Sequence, residues 1–435
     1  MFKKTGIGVN EDHLLEWSLF LLVFSISLLS GWAIFSANPF EFLRHGGDQL
    51  GYYHWLPSVF IDQSVDHMYW CFNMENGKRL SIFTLGVSVL QLPFFFLGQI
   101  GAEVFVYPID GFSSPYGVAQ LIGIATYAGA GIVLAYRIAK PYSTEESALI
   151  AAVTLFAATN LFYYSVYEPN MSHVYSFFLA GLFCYCSMRL LDGADHPSRW
   201  IHVFLVVLGG SLLVLIRHLN IVTFIFPLVI VLNRPNGFTT LWRNVIAHRV
   251  ALITGVVLAI IPWVLQSWYW HYITGDWITF TYGMKDEHFD FTTMEPWSVL
   301  TSVRNGWLTY TPLMIPVVIT LLVHAWRRSA VAIGILLVLL FTWLLYSAWW
   351  CWWLGTSFGG RGFVDLYALL AIPLAWLFRS IFTRSISTRV VTGFLLTFLI
   401  FLNFGLMERF NWEWSKEDWT WQLFFKEVSG ILGGR

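Results

Sequence analysis

Charged residues are scarce in this chain. Aspartate, glutamate, lysine and arginine make up 12% of the 435 residues, whereas soluble domains carry about 25%. Hydrophobic residues reach 57%, and the mean hydropathy is +0.62. The formal net charge is −1, and no block of like charges occurs, so nothing in the sequence indicates a nucleic-acid partner. The composition excludes an ordinary soluble domain.

Cysteine is also rare, with four residues in the whole chain. Cys184 and Cys186 fall inside an apolar run and are expected to behave as small apolar side chains. Cys71 and Cys351 are predicted to lie on the same side of the membrane, which is compatible with a disulfide, although spacing alone cannot establish one. Disulfides therefore cannot be the main stabilising feature of a chain of this length.

Long apolar runs are abundant, and a run of about 18 residues or more can cross a bilayer as a helix. The alternating ten-residue strands of a β-barrel do not fit these unbroken runs. We predict an all-α integral membrane protein, a single transmembrane domain over residues 1–435, with about 11 spans plus a non-crossing segment and external juxtamembrane helices. The predicted spans are residues 14–36, 116–138, 147–166, 172–190, 200–217, 219–233, 249–270, 307–326, 329–349, 363–381 and 389–407. The first is too long for a signal-peptide core and lacks a cleavage site, so we expect it to be retained.

Basic residues in the short connections predict the orientation, because cytoplasmic loops are enriched in lysine and arginine. The cytoplasmic side is marked by Lys3, Lys4, Arg137, Lys140, Arg189, Arg199, Arg234, Arg243, Arg249, Arg327, Arg328, Arg379, Arg384 and Arg389. The opposite side then receives a first external loop at 37–115, a loop at 271–306 and an interfacial tail at 408–435. Residues 81–100 would invert every later loop if they crossed, so we predict that they dip into the bilayer or lie on it without crossing.

Four polar clusters fall on the predicted non-cytoplasmic face. They contain Asp48 in GGDQLGYYHWLPS, Glu168 in SVYEPNMSH, Lys285 in GMKDEHFD with the later Arg304, and Arg361 with Asp365 in SFGGRGFVD. Charges at a membrane boundary tend to face a bundle interior or a wet cavity, which suggests a site. Each also has a simpler interpretation: Asp48 as the N-cap of a surface helix, Glu168 in a solvated turn, Lys285 on a solvated face and Arg361 as a headgroup anchor.

Taken together, the clusters suit a transferase that works on a lipid carrier. A carboxylate can accept the proton of an acceptor hydroxyl, which contributes about 10²–10⁴-fold in rate. A cation at the bilayer surface can stabilise the charge that develops on a departing lipid phosphate. Glycines let the backbone approach a sugar closely, and tyrosine and tryptophan rings can cover its apolar face.

The passage GGDQLGYYHWLPS after the first span resembles the signature of the GT-C superfamily of membrane glycosyltransferases. This superfamily includes protein O-mannosyltransferases, aminoarabinose transferases of lipid A and oligosaccharyltransferases. The passage SALIAAVTLFAATNLFYYSVYEPNMSHVYSFFLAGLFCY is similar to their next landmark, with Glu168 in the place of an external carboxylate. NGWLTYTPLM and WWLGTSFGGRGFVDLYALLAIPLA look like stretches of bacterial GT-C-like proteins. The resemblance covers the order of features over most of the chain.

The resemblance implies a polyprenyl-phosphate-linked sugar donor, a catalytic aspartate in the first external loop and basic residues that bind the phosphate. Asp48 is then the base, Glu168 assists, and Arg361 binds the phosphate. The further candidates for binding substrate or lipid phosphate are Arg304, Lys285, His54, Tyr53 and His173. A divalent metal could take ligands from Glu168, His45 and His54, and the metal stays unknown. The sequence departs from the family where Gln49, and not a second acid, follows Asp48, and where WWCWWLG lacks the acid of the oligosaccharyltransferase motif WWDYG.

The expected function is a membrane glycosyltransferase of GT-C type. It would move a sugar from a polyprenyl-phosphate donor to a lipid, glycan or protein acceptor on the non-cytoplasmic face, and it would lie in the plasma (inner) membrane if the source is bacterial. A lipid or small-molecule transporter or flippase, and a polymerase or ligase for lipid-linked glycans, are the alternatives. A transporter is expected to place ionisable residues at mid-membrane and to contain repeated halves, whereas the charged clusters here are predicted at one rim.

Overall fold

The structure, a computed structural model, describes residues 11–38, 41–44, 47–66, 68, 71–192, 199–285 and 287–434. Within these residues the chain forms helices almost throughout, together with one short antiparallel hairpin in which Cys71 pairs with Ser81. The prediction of an all-α fold is therefore confirmed.

The α-helices of the first half are α1 Glu11–Phe35, α2 Glu41–Arg44, α3 Asp48–Tyr53, α4 Trp55–Phe60, α5 Gly86–Val104, α6 Ser114–Ala139, α7 Glu145–Ala157, α8 Leu161–Val166, α9 Ser172–Leu190 and α10 Arg199–Ile216. Those of the second half are α11 Ile225–Asn233, α12 Gly237–Ala247, α13 Arg249–Thr274, α14 Pro296–Thr301, α15 Trp307–Tyr310, α16 Met314–Trp326, α17 Ala330–Ser347, α18 Tyr367–Phe382, α19 Ile386–Arg409 and α20 Trp421–Leu432. The 3₁₀ helices are Lys140–Tyr142, His218–Phe224, Thr281–Lys285, Arg361–Leu366 and Trp412–Ser415, and the hairpin strands are β1 Cys71–Asn73 and β2 Arg79–Ser81.

Several helices begin where a hydroxyl side chain can satisfy an unpaired backbone amide. Thr144 accepts a hydrogen bond from the Ser147 amide at the start of α7, and Ser329 does the same for Ala332 at the start of α17. Such caps offset the loss of the first intrahelical bonds. Gly275 ends α13 with a φ of 88°, a left-handed conformation that glycine adopts without steric cost.

Eight helices of the described residues are long and apolar enough to cross a membrane, or nine if the bent pair at 218–247 is one span. Seven of the eight coincide with predicted spans, and the eighth is α5. The other predicted spans differ from single apolar helices. Residues 147–166 form two helices, α7 and α8, and residues 307–326 form α15 and α16. Residues 219–233 belong to the first helix of a pair that is bent by 112°. Residues 172–190 form the continuous helix α9, which is less apolar than the eight candidate spans. The chain is an integral membrane protein with fewer uninterrupted spans than the sequence suggested.

The break between α7 and α8 has a polar cause. Asn160 is fully buried there, where its amide donates to the Phe358 carbonyl oxygen at 3.1 Å and its own carbonyl accepts from the Tyr367 hydroxyl at 2.6 Å. A buried amide must find such partners, since an unpaired one is costly. The break therefore ties α8 to the segment that carries Arg361.

Helix α5 meets the length and composition of a span, but it packs along only half of α6. Gly98 lies against Tyr116 at the start of α6, and the Tyr127 hydroxyl donates to the Leu90 carbonyl oxygen at 2.7 Å. Gly86, in the first turn of α5, packs closely against the backbone of Ile216. Ile216 is the last residue of α10 and lies at the opposite end of that helix from Arg199. This packing favours the prediction that residues 81–100 do not cross, which stays a prediction.

The four cysteines fit their predicted settings as far as they are described. Cys184 and Cys186 are buried in α9, as their positions in an apolar run predicted. Cys351 carries a free thiol, and the side chain of Cys71 lies outside the described residues.

The helices have two chemically different ends. α9 begins at Ser172 and ends beside Arg189, whereas α10 begins at Arg199 and ends at Ile216. α18 likewise runs away from the Arg361–Leu366 turn and has Arg379 in its last turn. The termini that lack the predicted cytoplasmic arginines meet at one end of the bundle, and a cavity with a charged lining lies there.

Candidate functional site

A cavity of about 420 Å³ opens at the end of the bundle where α9 begins and α10 and α17 end. Its polar lining includes Asp48, Ser172, His173, Arg217, Glu287 and Arg361. Its aromatic lining includes Tyr52, Phe280, Tyr282, Phe289, Tyr346, Trp349 and Trp350. The cavity thus combines charges of both signs with many ring faces.

Asp48 reaches the cavity as the first residue of α3. The preceding Gly47 is the N-cap, with a φ of 88° that favours glycine, and the Asp48 side chain makes no capping hydrogen bond. The carboxylate instead lies 3.0 Å from an Nη atom of Arg361, with 30% of the side chain exposed. Residues Gln49 to Tyr53 are buried. The N-cap interpretation of Asp48 on a surface helix is therefore wrong, although a helix does begin there.

Arg361 is placed by the glycines around it. Gly359 has a φ of 68°, and a Cβ at Gly360 or Gly362 would collide with Trp307 or Tyr346. The backbone therefore turns tightly and directs Arg361 to the cavity wall, where 15% of its side chain is exposed. Its Nε is buried without a hydrogen-bond partner among the described residues. Because Arg361 lines the cavity, its guanidinium can donate hydrogen bonds to a ligand there.

Glu168 lies half-buried in the turn between α8 and α9. Burial raises the pKa of this carboxyl to about 7, the nearby Arg361 opposes the rise, and the Asp48 charge adds to it. The Tyr163 hydroxyl donates to its Oε1 at 3.3 Å. The charges of Arg361 and Asp48 both act on Glu168, so the structure brings together these three predicted site residues. The Glu168 carboxyl is therefore not in a freely solvated turn.

The raised pKa of Glu168 gives a prediction for stability. The folded protein binds this proton more tightly than the unfolded chain, whose glutamate has an ordinary pKa of 4.5. Stability from this group is therefore present below pH 4.5 and is lost as the pH rises to about 7. Glu168→Gln removes the cost of ionisation, so we expect it to stabilise the protein by about 3 kcal/mol at pH 8 and to have little effect at pH 4.5.

Thermal unfolding of the full-length protein in detergent at both pH values measures this difference. Glu75→Gln, at an exposed position of the β1–β2 hairpin turn, is the matched control and should give no pH-dependent gain. An equal gain or loss for Glu168→Gln at the two pH values would contradict the assignment.

A second charged group in the cavity wall includes residues that we had not selected as site residues. Asp365 is 2% exposed, and its Oδ1 lies 2.8 Å from His173 Nδ1. Its Oδ2 lies 3.6 Å from an Nη atom of Arg217, which is 18% exposed. In the sequence, Asp365 follows Arg361 by four residues in the same polar cluster, and Arg217 is the last residue of a predicted span. These positions were the sequence features that could have identified the two residues. His173 was a predicted binding residue and does line the cavity.

The aromatic side of the cavity is formed by two loops that are joined through their backbones. Phe289 and Trp349 form an isolated antiparallel bridge, and the Trp350 amide donates to the His288 carbonyl oxygen at 3.1 Å. The Asp290 amide also donates to the Ala348 carbonyl oxygen at 2.6 Å. The loop after α13 and the segment after α17 therefore form one continuous wall.

Three predicted binding residues are placed away from the cavity lining. Tyr53 is buried, and its hydroxyl donates to the Gly111 carbonyl oxygen at 2.5 Å. His54 packs against Phe112, and Arg304 stacks over Trp353 and donates from Nε to the Ser415 carbonyl oxygen at 3.1 Å. These contacts are structural ones. The side chain of Lys285, also predicted to bind, lies outside the described residues.

The described residues contain no group of three or more histidine, cysteine, aspartate or glutamate side chains that could hold a metal ion. Among the suggested ligands, Glu168 and His54 are described, and His45 lies outside the described residues.

No family model matches the sequence, and no curated protein matches it. Among solved structures, the chain is similar to ArnT from Cupriavidus metallidurans in a crystal structure bound to undecaprenyl phosphate. The two share 14% sequence identity with a TM-score of 0.49, over 98% of this chain and 77% of that chain. The chemistry of the cavity therefore carries the functional inference.

Proposed function

We propose that this protein is an integral-membrane glycosyltransferase of GT-C type that uses a polyprenyl-phosphate-linked sugar. The proposal rests on one observation, the Asp48 carboxylate paired with Arg361 in a cavity at the end of a membrane-embedded bundle. An acid that can accept a proton and a cation that can bind phosphate thus lie within one ligand's reach. The donor class is taken from the resemblance of the sequence to the GT-C superfamily.

The reaction assigns each of these groups a role. The oxygen of an acceptor hydroxyl attacks the anomeric carbon of the donor sugar, and the bond from that carbon to the phosphate oxygen breaks. The phosphate departs with the electron pair, and the hydroxyl proton passes to the Asp48 carboxylate. Arg361 moves from Asp48 to the phosphate oxygens, where its fork of donors stabilises the developing charge. Arg217 adds a second positive charge in the same wall.

The dimensions of the cavity favour the transfer of a small glycan unit. Its volume of about 420 Å³ is at the lower end of the usual range for ligand pockets, about 300–1,000 Å³. Tyr282, Tyr346 and Trp349 provide rings that can cover the apolar face of a sugar. A polymerase or ligase must hold two glycans, so the space supports a single-sugar transferase over that alternative.

The arrangement of charges supports a site on the non-cytoplasmic side. The cavity lies at the helix ends opposite to those that carry Arg189, Arg199 and Arg379, and cytoplasmic ends are enriched in arginine. In this topology the 37–115 and 271–306 loops and the 408–435 tail are external parts of one transmembrane domain. In a bacterial cell the protein would lie in the plasma (inner) membrane.

The direct test is turnover by the full-length protein in liposomes. Undecaprenyl phosphate linked to radiolabelled glucose, mannose, galactose or arabinose is supplied together with envelope lipids and glycans as acceptors. We expect one donor to release undecaprenyl phosphate while its label passes to an acceptor. Movement of an intact donor across the bilayer, with its sugar–phosphate bond preserved, would instead favour the flippase alternative.

A further inference from the structure

His173 is held in a single orientation inside the cavity wall. Its side chain is 1% exposed, and its ring lies 4.9 Å from that of Tyr164. Nδ1 lies 2.8 Å from Asp365 Oδ1. A carboxylate oxygen can only accept a hydrogen bond, so Nδ1 carries the proton and donates it to Asp365. In the neutral ring the other nitrogen, Nε2, is then an acceptor with a free lone pair.

Arg217 is the nearby positive charge that favours the ionised form of Asp365, which is the form this assignment uses. Its guanidinium lies 3.6 Å from Asp365 Oδ2 and supplies a positive charge to an otherwise buried acid. Arg217 Nη1 also lies 3.2 Å from His173 Nδ1. Arg217 Nη1 and His173 Nδ1 are both donors in this assignment, so no hydrogen bond forms between them. Arg217 is instead attracted to the Asp365 carboxylate, and the Nδ1 proton of His173 still points to that carboxylate.

The Nε2 atom of His173 has no partner within the described residues. All interactions of this ring through nitrogen involve Nδ1. Nε2 is not one of the polar atoms that are sealed from solvent without a hydrogen bond, so it is accessible to solvent. Since His173 lines the cavity, the open lone pair faces the space that a ligand would occupy.

We propose that His173 Nε2 accepts a hydrogen bond from one hydroxyl of the donor sugar and so selects which sugar the protein takes. This inference rests on the proposed function and adds a specificity contact to it. Phosphate is not the ligand of this atom, because a lone pair facing phosphate oxygens would be repelled by them. A sugar hydroxyl is a donor of the right kind, and a site built for a hydroxyl discriminates strongly against an analogue that lacks it.

Two lipid probes separate the sugar contact from the phosphate contact. Undecaprenyl phosphate and the sugar-linked form preferred by the wild type are titrated into the full-length protein, with tryptophan fluorescence as the readout. In His173→Asn the amide can still donate to Asp365 but cannot reach the position of Nε2. We expect this variant to bind the sugar-linked lipid about 10- to 100-fold more weakly, and undecaprenyl phosphate within about twofold of the wild type.

Two further variants show whether the effect depends on the acceptor atom. His173→Gln can place a carbonyl oxygen near the position of Nε2 and should recover part of the lost affinity. His271→Asn is the matched control, because His271 is exposed and stacks on Trp277 at 4.1 Å outside the cavity lining. It should bind both lipids as the wild type does.

A set of deoxy sugars identifies the hydroxyl. Removal of the hydroxyl that meets His173 should weaken binding to the wild type and leave binding to His173→Asn unchanged, whereas removal of any other hydroxyl should affect both proteins alike. Equal loss of both lipids in His173→Asn, or no loss of either, would overturn the specificity role. A wild-type protein that binds neither lipid would instead refute the proposed function, so the two failures are distinguishable.

Discussion

Asp48→Asn is expected to lower kcat for sugar transfer by about 10²–10⁴-fold, the usual contribution of a general base. Asparagine has nearly the same shape and can still contact Arg361, but it cannot take up the proton of the acceptor hydroxyl. Affinity for the sugar-linked lipid should stay within a few fold of the wild type, since the phosphate is bound by arginine. Initial rates and donor titrations on the same preparation measure the two effects separately.

Asp62→Asn is the appropriate control. Asp62 belongs to the same connection between α1 and α6, follows α4, is exposed and does not line the cavity. We expect it to retain the wild-type kcat. Full turnover by Asp48→Asn would falsify the assignment of the base, and a parallel loss of donor binding would indicate that the substitution had disturbed the cavity.

Arg361→Gln should have a comparably large effect on kcat/KM, because it removes a contact made in both binding and catalysis. Loss of one preorganised group that stabilises developing charge lowers kcat by about 10²–10³-fold. Loss of a charge-assisted hydrogen bond to phosphate should weaken donor binding by about a further tenfold. Arg361→Lys retains the charge but loses the planar fork, so a partial recovery is expected.

The readouts are undecaprenyl phosphate binding and the transfer rate, both with the full-length protein. Arg79→Gln serves as the control, since Arg79 is exposed on the β1–β2 hairpin and contacts Asn73 at 3.3 Å. Unchanged lipid binding by Arg361→Gln would show that the phosphate is held elsewhere, with Arg217 as the next candidate. If the lysine variant matched the wild type, charge alone would suffice at this position.

The sequence was sufficient to predict seven of the eight long apolar helices of the described residues, because the length of an apolar run follows from the thickness of the bilayer. The sequence was less informative about which side chains of the short helix α3 face the cavity. Asp48 and Tyr52 are four residues apart in α3 and both line the cavity, whereas Tyr53 points to a separate packed region. Residues four apart share a helix face, so the register of this turn could have favoured Tyr52 over Tyr53.

Other parts of the site depend on contacts between distant segments. Asp365 and His173 are separated by 192 positions, and no local pattern pairs them. Arg304 occurs in a polar cluster, yet its guanidinium stacks on Trp353 at 4.0 Å and contacts the tail. Broken spans were missed for a similar reason, since Asn160 interrupts an apolar run because of partners almost 200 residues away. Long-range packing therefore decides what local composition leaves open.

The two arginines in the cavity wall each have a carboxylate neighbour, and this pairing bears on the order in which substrates add. Asp365 is buried beside Arg217, whereas Asp48 is 30% exposed and so is the more readily displaced of the two acids. While Arg361 holds Asp48, that oxygen is occupied and water gains no activation from it. An arriving lipid phosphate competes for Arg361 and sets the acid free. Donor would thus add first and acceptor second, because Asp48 would become available to take the acceptor's proton only after the phosphate had replaced it on Arg361.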